Sequence, residues 1–167
     1  MTDDQTPRFA LPMLQPGQAQ KELYHNEALA LLDIAVQASV VAMGQNNPPP
    51  SPALGACWVV GAAPTGGWAG EAHRLAGWTG GGWRFVAPVD GMTVWSVADA
   101  LEAQFIAGSW VVGQTRSARL LIAGTPVVGP QRAAIAPPLG GTTVDSEARA
   151  ALSAILSALA GHGLIAG

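Results

Sequence analysis

Punctuation is what most constrains this chain. Between Ala56 and Val128 short apolar runs alternate with glycine turns, at spacings typical of antiparallel sheet. Strands are expected near Cys57–Gly61, His73–Trp78, Trp83–Ala87, Met92–Val97, Leu101–Ile106, Ser109–Val112 and Ala118–Ile122. Thr79-Gly80-Gly81-Gly82 supplies a hairpin loop between Trp78 and Trp83, because glycine tolerates the positive φ of tight hairpins. Ala107-Gly108 supplies another between Ile106 and Trp110. Gly66-Gly67-Trp68, Gly81-Gly82-Trp83 and, more loosely, Gly108-Ser109-Trp110 echo one another, too irregularly for a solenoid or propeller.

Helical patterns flank this block. From Gln18 to about Met43 there is no proline or glycine, and Glu22, Asn26, Asp33 and Gln37 draw one narrow polar stripe. Leu23, Leu29, Leu32, Val36, Val40 and Met43 occupy the rest of the circumference. A helix over 18–43 is therefore expected to be buried on most sides, by its own domain or by its copies around a symmetry axis. Gly44-Gln45-Asn46-Asn47-Pro48-Pro49-Pro50 ends it. Towards the other end, Asp145 is placed to cap a helix whose apolar face is Ala148, Ala151, Leu152, Ile155, Leu156 and Leu159. Gly161 or Gly163 stops that helix.

Residues 1–17 carry Pro7, Pro12 and Pro16, which disfavour helix. They read as an extended arm whose Phe9, Leu11, Met13 and Leu14 need a partner surface. The fold class is thus α+β: an extended docking arm (1–17), a buried helix (18–43), a small antiparallel Trp/Gly-rich β domain (51–128, a sandwich or small barrel), a Pro/Gly linker (129–144) and a C-terminal helix (145–163).

Composition adds one strong argument. Charged residues are 11% of the 167, against ~25% in an average soluble domain. A lone monomer covers its surface with charge, so part of this surface is expected to be buried against other subunits. The net charge is −3 and the eight basic residues are scattered, without the clustered footprint that phosphate neutralisation leaves. No nucleic-acid partner is expected. Cys57 is the only cysteine, so there is no intrachain disulfide, and it reads as a small apolar core residue. Thr2-Asp3-Asp4 has the wrong sign for a secretory signal. The apolar stretch Ala28–Met43, broken by Asp33, Gln37 and Ser39, falls short of the ~18 uncharged residues of a membrane span. A soluble protein made in the cytoplasm, with no membrane partner, is the expectation.

Catalytic patterns are lacking. The triple glycine 80–82 is not followed by Lys-Ser or Lys-Thr. His25, His73 and His162 stand far apart, and His25 and Glu27 lie on diverging faces of a helix while Glu22 is one turn back. Gly-x-Ser-x-Gly is absent, and nothing selects a pair among Glu71, Asp90, Asp99 and Glu102 for glycoside hydrolysis. The chain reads as a non-enzyme with no metal and no cofactor. Its six tryptophans, all between Trp58 and Trp110, admit two readings. They fill the core of a small sheet, or an exposed set such as Trp68, Trp78, Trp83 and Trp95 forms a platform for sugar rings.

Gly17-Gln18-Ala19-Gln20-Lys21-Glu22-Leu23-Tyr24-His25-Asn26-Glu27-Ala28-Leu29, followed by Leu32-Asp33 and Val36-Gln37, resembles the signature of a phage-associated family. That family was long catalogued only as a domain of unknown function, and it occurs in alphaproteobacterial prophages and in gene transfer agents, virus-like particles that package host DNA. The resemblance continues through Gly66-Gly67-Trp68-Ala69-Gly70, Gly82-Trp83-Arg84-Phe85 and Pro88. It resumes at Val127-Val128-Gly129-Pro130-Gln131 and Gly140-Gly141-Thr142, then closes on Asp145, Glu147 to Ala151 and His162-Gly163-Leu164-Ile165. It implies a head-spike base: a homopentamer seated on the capsid vertex protein, holding a spike fibre protein that attaches to the recipient's capsular polysaccharide. The contacts would fall on Phe9, Leu11, Met13 and Leu14 of the arm, on Leu29, Leu32, Val36 and Val40, and on Leu152, Ile155, Leu156 and Leu159. The alternative is a glycan-binding module of a tail or fibre protein.

Overall fold

The structure, a computed structural model, describes residues 5–15, 17 and 21–167. The chain divides into two compact units, Met1–Gln114 and Thr115–Gly167. The last expected strand therefore groups with the C-terminal helix and not with the tryptophan-rich sheets. The α+β class is as the sequence indicates.

In the first unit, helix α1 runs Lys21–Ala35, shorter than the expected 18–43, of which residues 18–20 lie outside the described set. Two causes stop it. The Arg8 guanidinium donates to the last carbonyls, those of Asp33, Ile34 (3.2 Å), Val36 (3.3 Å) and Gln37 (3.0 Å), which closes the helix C-terminus with a cation where the dipole favours one. Gln37 then turns the backbone at φ +42°. Beyond it, β-branched Val40 and Val41 suit a strand better than a helix, and Ser39–Val40 forms strand β1.

The remaining strands of this unit are β2 (Cys57–Val59), β3 (Leu75–Thr79), β4 (Gly82–Val86), β5 (Thr93–Ser96), β6 (Leu101–Ile106) and β7 (Ser109–Val112). They form a four-stranded sheet ordered β1-β5-β6-β7 and a three-stranded sheet ordered β2-β3-β4. Pairing is antiparallel except for β1, which lies parallel to β5 with Ser39 opposite Trp95. Past β1 the chain hydrogen-bonds to β2, through Val41 N–H to the Cys57 carbonyl (2.8 Å) and Val59 N–H to the Ala42 carbonyl (3.1 Å). One extended segment thus joins the two sheets. Both expected hairpins form, with Trp78 opposite Trp83 and Ile106 opposite Ser109.

Two apolar clusters make the core. Ile34, Ala38, Val40, Cys57, Val59, Leu75, Val94 and Ala103 form the first; Trp58, Val60, Trp68 and Ala76 form the second, with Trp83 and Phe85 against it. Gly77 lets α1 approach β3, since a Cβ there would fall 2.4 Å from the Ile34 side chain.

The second unit holds a two-stranded antiparallel ribbon, β8 (Leu120–Ile122) and β9 (Thr125–Val128), and helix α2 (Ser146–Gly161). Strand β9 was not legible, because Pro126 sits inside it. The turn between β8 and β9 is Ala123-Gly124, both at positive φ (+49° and +80°), the two-residue geometry that matches strand twist. Asp145 caps α2 as expected, its carboxylate accepting from Ala148 N–H at 2.8 Å. Gly163 at φ +71° ends it, with Leu164 N–H donating to the Leu159 carbonyl at 2.9 Å. The final residues turn back to pair Ile165 with Arg132.

Candidate functional site

The groups that carry chemistry are dispersed. His25 Nδ1 sits 2.9 Å from the Lys21 carbonyl, a local helix contact. The Ser96 hydroxyl, at the end of β5, donates to Asp99 in the turn that follows at 2.5 Å. Among the described residues no group of three His, Cys, Asp or Glu gathers as metal ligands would. Cys57 is buried, and burial pushes its thiol up from the ordinary 9.0 to about 11, the Arg8 cation opposing and the Asp33 carboxylate adding.

The four tryptophans nominated for a sugar platform do not share an open face. Trp68 is fully buried and offers no ring surface. It packs edge-on to Trp83 at 5.0 Å, Trp83 packs on Trp58 (5.6 Å) and on Trp78 (5.0 Å), and Trp58 reaches Trp68 at 6.2 Å. Trp78 and Trp83 are half-buried members of this stack, which clamps the β3–β4 hairpin onto the Gly66–Trp68 turn. Trp95 alone of the four is exposed, at 45%.

The arm, of which residues 1–4 and 16 lie outside the described set, is held to α1 between Thr6 and Leu14. Asp33, 2% exposed, accepts from the Thr6 hydroxyl (2.7 Å) and from the backbone N–H groups of Arg8 (2.9 Å) and Phe9 (2.8 Å). Higher on α1, the Asn26 amide both accepts from Leu14 N–H (2.9 Å) and donates to the Leu14 carbonyl (3.0 Å). The polar stripe thus faces inward, holding the arm. Leu11, Met13 and Leu14 are half-buried, whereas Phe9 is exposed, with the Arg8 guanidinium 4.9 Å from its ring centre. Sequence reasoning saw the stripe and missed its purpose; a carboxylate and an amide spaced seven apart among leucines was the available signal.

Besides Lys21, His25 and Glu27, α1 turns large apolar side chains outward. Only Ala30, Asp33 and Ile34 are buried in it, while Leu23 (64% exposed), Tyr24 (82%) and Leu32 (50%) face solvent, as does Val36 just beyond. The chain's own fold does not cover this helix on most sides. Leu29 is half-buried. Val40, expected beside them at an interface, is instead fully buried in the core, because it belongs to β1. Beside α1, Leu23, Asn26, Leu54, Thr79 and Gly81 line a groove of about 320 Å3. The Arg84–Glu27 ion pair (2.8 Å) ties the β4 wall to the helix there.

The second unit is still less covered. Every residue of β8 and β9 is exposed, α2 buries none, and Ile165 is the one buried residue from Thr115 onward. Leu152 and Ile155 are exposed and Leu156 and Leu159 half-buried. The run Leu120-Leu121-Ile122, apolar without alternation, was the sign that both faces of this ribbon are apolar.

A small α+β unit with a tryptophan-stacked core is followed by a unit in which Ile165 alone is buried. Residues 25–111, from α1 to β7 and more than half of the chain, match DUF2793, a family described as proteins of unknown function. The chain belongs to that family. No curated protein matches it. No helix among the described residues is long and apolar enough to cross a membrane.

Proposed function

We propose that this chain is a structural subunit of a gene transfer agent, a head-spike base that docks on the capsid vertex and holds the fibre used to attach to a recipient cell. One observation carries the reading: large apolar side chains stand uncovered on α1 and throughout the second unit, in a chain with 11% charge. Monomeric proteins rarely expose apolar patches beyond a few hundred Å2, and larger ones mark contact surfaces. An assembly protein needs several such surfaces at once, for its sister copies, for the shell beneath and for the fibre above. The glycan-binding alternative has less to stand on, since Trp95 is the one exposed ring of its platform.

Antibody against the purified chain tests this on particles collected from a producing culture. Label at the vertices of particle heads, lost from particles of a strain lacking the gene, is the expected result. Particles that carry no label while the protein accumulates in the cells would reject the assignment.

A further inference from the structure

We propose that the second unit binds an organic oxyanion, a carboxylate or phosphate on a partly apolar body, in a hollow lined by Arg119 and Arg132. The inference goes beyond the structural reading above and stands or falls separately from it.

The register of the ribbon brings the two arginines to one place. Leu120 pairs with Val128, so Arg119, one residue before β8, lies at the ribbon end where the chain leaves β9 towards Arg132. That exit is pinned. Arg132 N–H donates to the Leu164 carbonyl (2.9 Å), Ala166 N–H to the Arg132 carbonyl (2.6 Å) and the Gln131 side-chain amide to the Ile165 carbonyl (3.2 Å). Ile165 is the one buried residue of the unit. Arg119 and Arg132 thus share a hollow of about 510 Å3 with Val127, Val128, Leu164 and Ile165, a size within the ~300–1,000 Å3 of ordinary small-molecule sites.

The guanidinium groups point to an anion. The chain has seven arginines, and four are committed. Arg8 donates to the carbonyls at the end of α1, Arg74 pairs with Glu71, Arg84 pairs with Glu27, and Arg149 donates to the carbonyls of Pro138 and Gly140. Among the described residues, Arg119 and Arg132 form hydrogen bonds through their backbone groups alone and enter no ion pair. The two acids of the unit are engaged elsewhere, Asp145 with Ala148 N–H (2.8 Å) and Glu147 with the Ser146 hydroxyl (3.0 Å). Four arginines against those two acids leave this unit with a positive surplus, in a chain of net charge −3. A guanidinium fork presents paired N–H donors that match the oxygens of a carboxylate or phosphate. A bare inorganic ion would leave the valine and leucine walls wet, so the anion is expected on a body that covers them.

NMR titration of the isotope-labelled full-length chain tests this, with benzoate, phenyl phosphate, inorganic phosphate and benzyl alcohol as probes. Benzoate or phenyl phosphate is expected to shift the Nε–H signals of Arg119 and Arg132 and the amides of Val127 and Val128 saturably, and the stronger of the two identifies the kind of anion. Arg116, outside the hollow, should not respond. Inorganic phosphate, which lacks the body, and benzyl alcohol, which lacks the charge, should each bind at least roughly fivefold more weakly than the better organic anion. Arg119→Gln and Arg132→Gln should each weaken that anion roughly fivefold, with the remaining amide signals unmoved, while Arg116→Gln leaves it unchanged. Shifts that do not saturate, an equal response at Arg116, or a variant at position 119 or 132 with full affinity would overturn the site. So would inorganic phosphate or benzyl alcohol binding as tightly as the organic anions. Saturable binding by a chain that is absent from particle heads would reject the spike-base role and leave this inference standing.

Discussion

Asp33 is an acidic side chain placed where a core residue would be expected, and it is 2% exposed. Burying a carboxylate is costly unless its lone pairs are met, and here one hydroxyl and two backbone N–H groups meet them. Removing the carboxylate would leave those donors unpaired beneath the arm. Asp33→Ala is therefore expected to destabilise the first unit by roughly 3 kcal/mol, the scale for a buried charged hydrogen-bond acceptor, as read from urea unfolding by tryptophan emission. A loss under about 1 kcal/mol would mean that the arm is held by its apolar contacts alone. Cys57 gives a second measurement at this scale. Its thiol is raised in the fold to about 11 from 9.0, first by burial, so the unfolded chain ionises first as pH rises. The contribution is fully present below pH 9 and is lost as pH climbs towards 11, by roughly 2 to 3 kcal/mol for two units of pKa. Unfolding compared at pH 8 and pH 10.5 should show a loss that Cys57→Ala shares far less. Equal losses in both proteins would assign the alkaline sensitivity to other groups.

At the scale of elements, α1 inverts the usual helix. Asn26 and Asp33 of its polar stripe hold the arm while Leu23 and Leu32 face water. Ile34 and Leu32 separate the two faces. Ile34→Ala empties a site packed over Gly77 in the main core and is expected to cost roughly 2 to 4 kcal/mol. Leu32→Glu, at a half-exposed position, should shift stability by no more than ~0.5 kcal/mol. Chemical denaturation of the two variants side by side checks this, and a large loss in Leu32→Glu would show that this face is covered within the chain. The same element shows why helix 18–43 was overextended in sequence. Periodicity there is continuous, but the stop is made by Arg8, far off in sequence, and by a sheet edge that recruits Ser39–Val40 as a strand. Strands β2 to β7 were legible as short apolar runs, most of them set off by glycine turns, though Val97–Ala100 between β5 and β6 has none. Strand β1 was not, since its pairing with β5 is parallel and non-local.

At the scale of the molecule the two units hold themselves together differently. The first closes a core from α1, the joined sheets and the tryptophan stack. The second has its turns and caps in place and its apolar side chains outside. Low charge goes with the exposed apolar side chains of this chain, but composition is a sum over the chain and carries no position. The sequence by itself determined the local pieces, namely the two hairpins of the first unit, the Asp145 cap and the glycine stop of α2. These follow from φ preferences and hydrogen bonds within a few residues. Only the tertiary structure decided which face of α1 turns inward, that Val40 is core while Leu23 is surface, and that Trp68 is sealed while Trp95 is open. It also set the boundary between the units at Gln114. Those outcomes depend on partners brought from far along the chain, and an apolar residue carries the same letter whether its own fold covers it or another surface must.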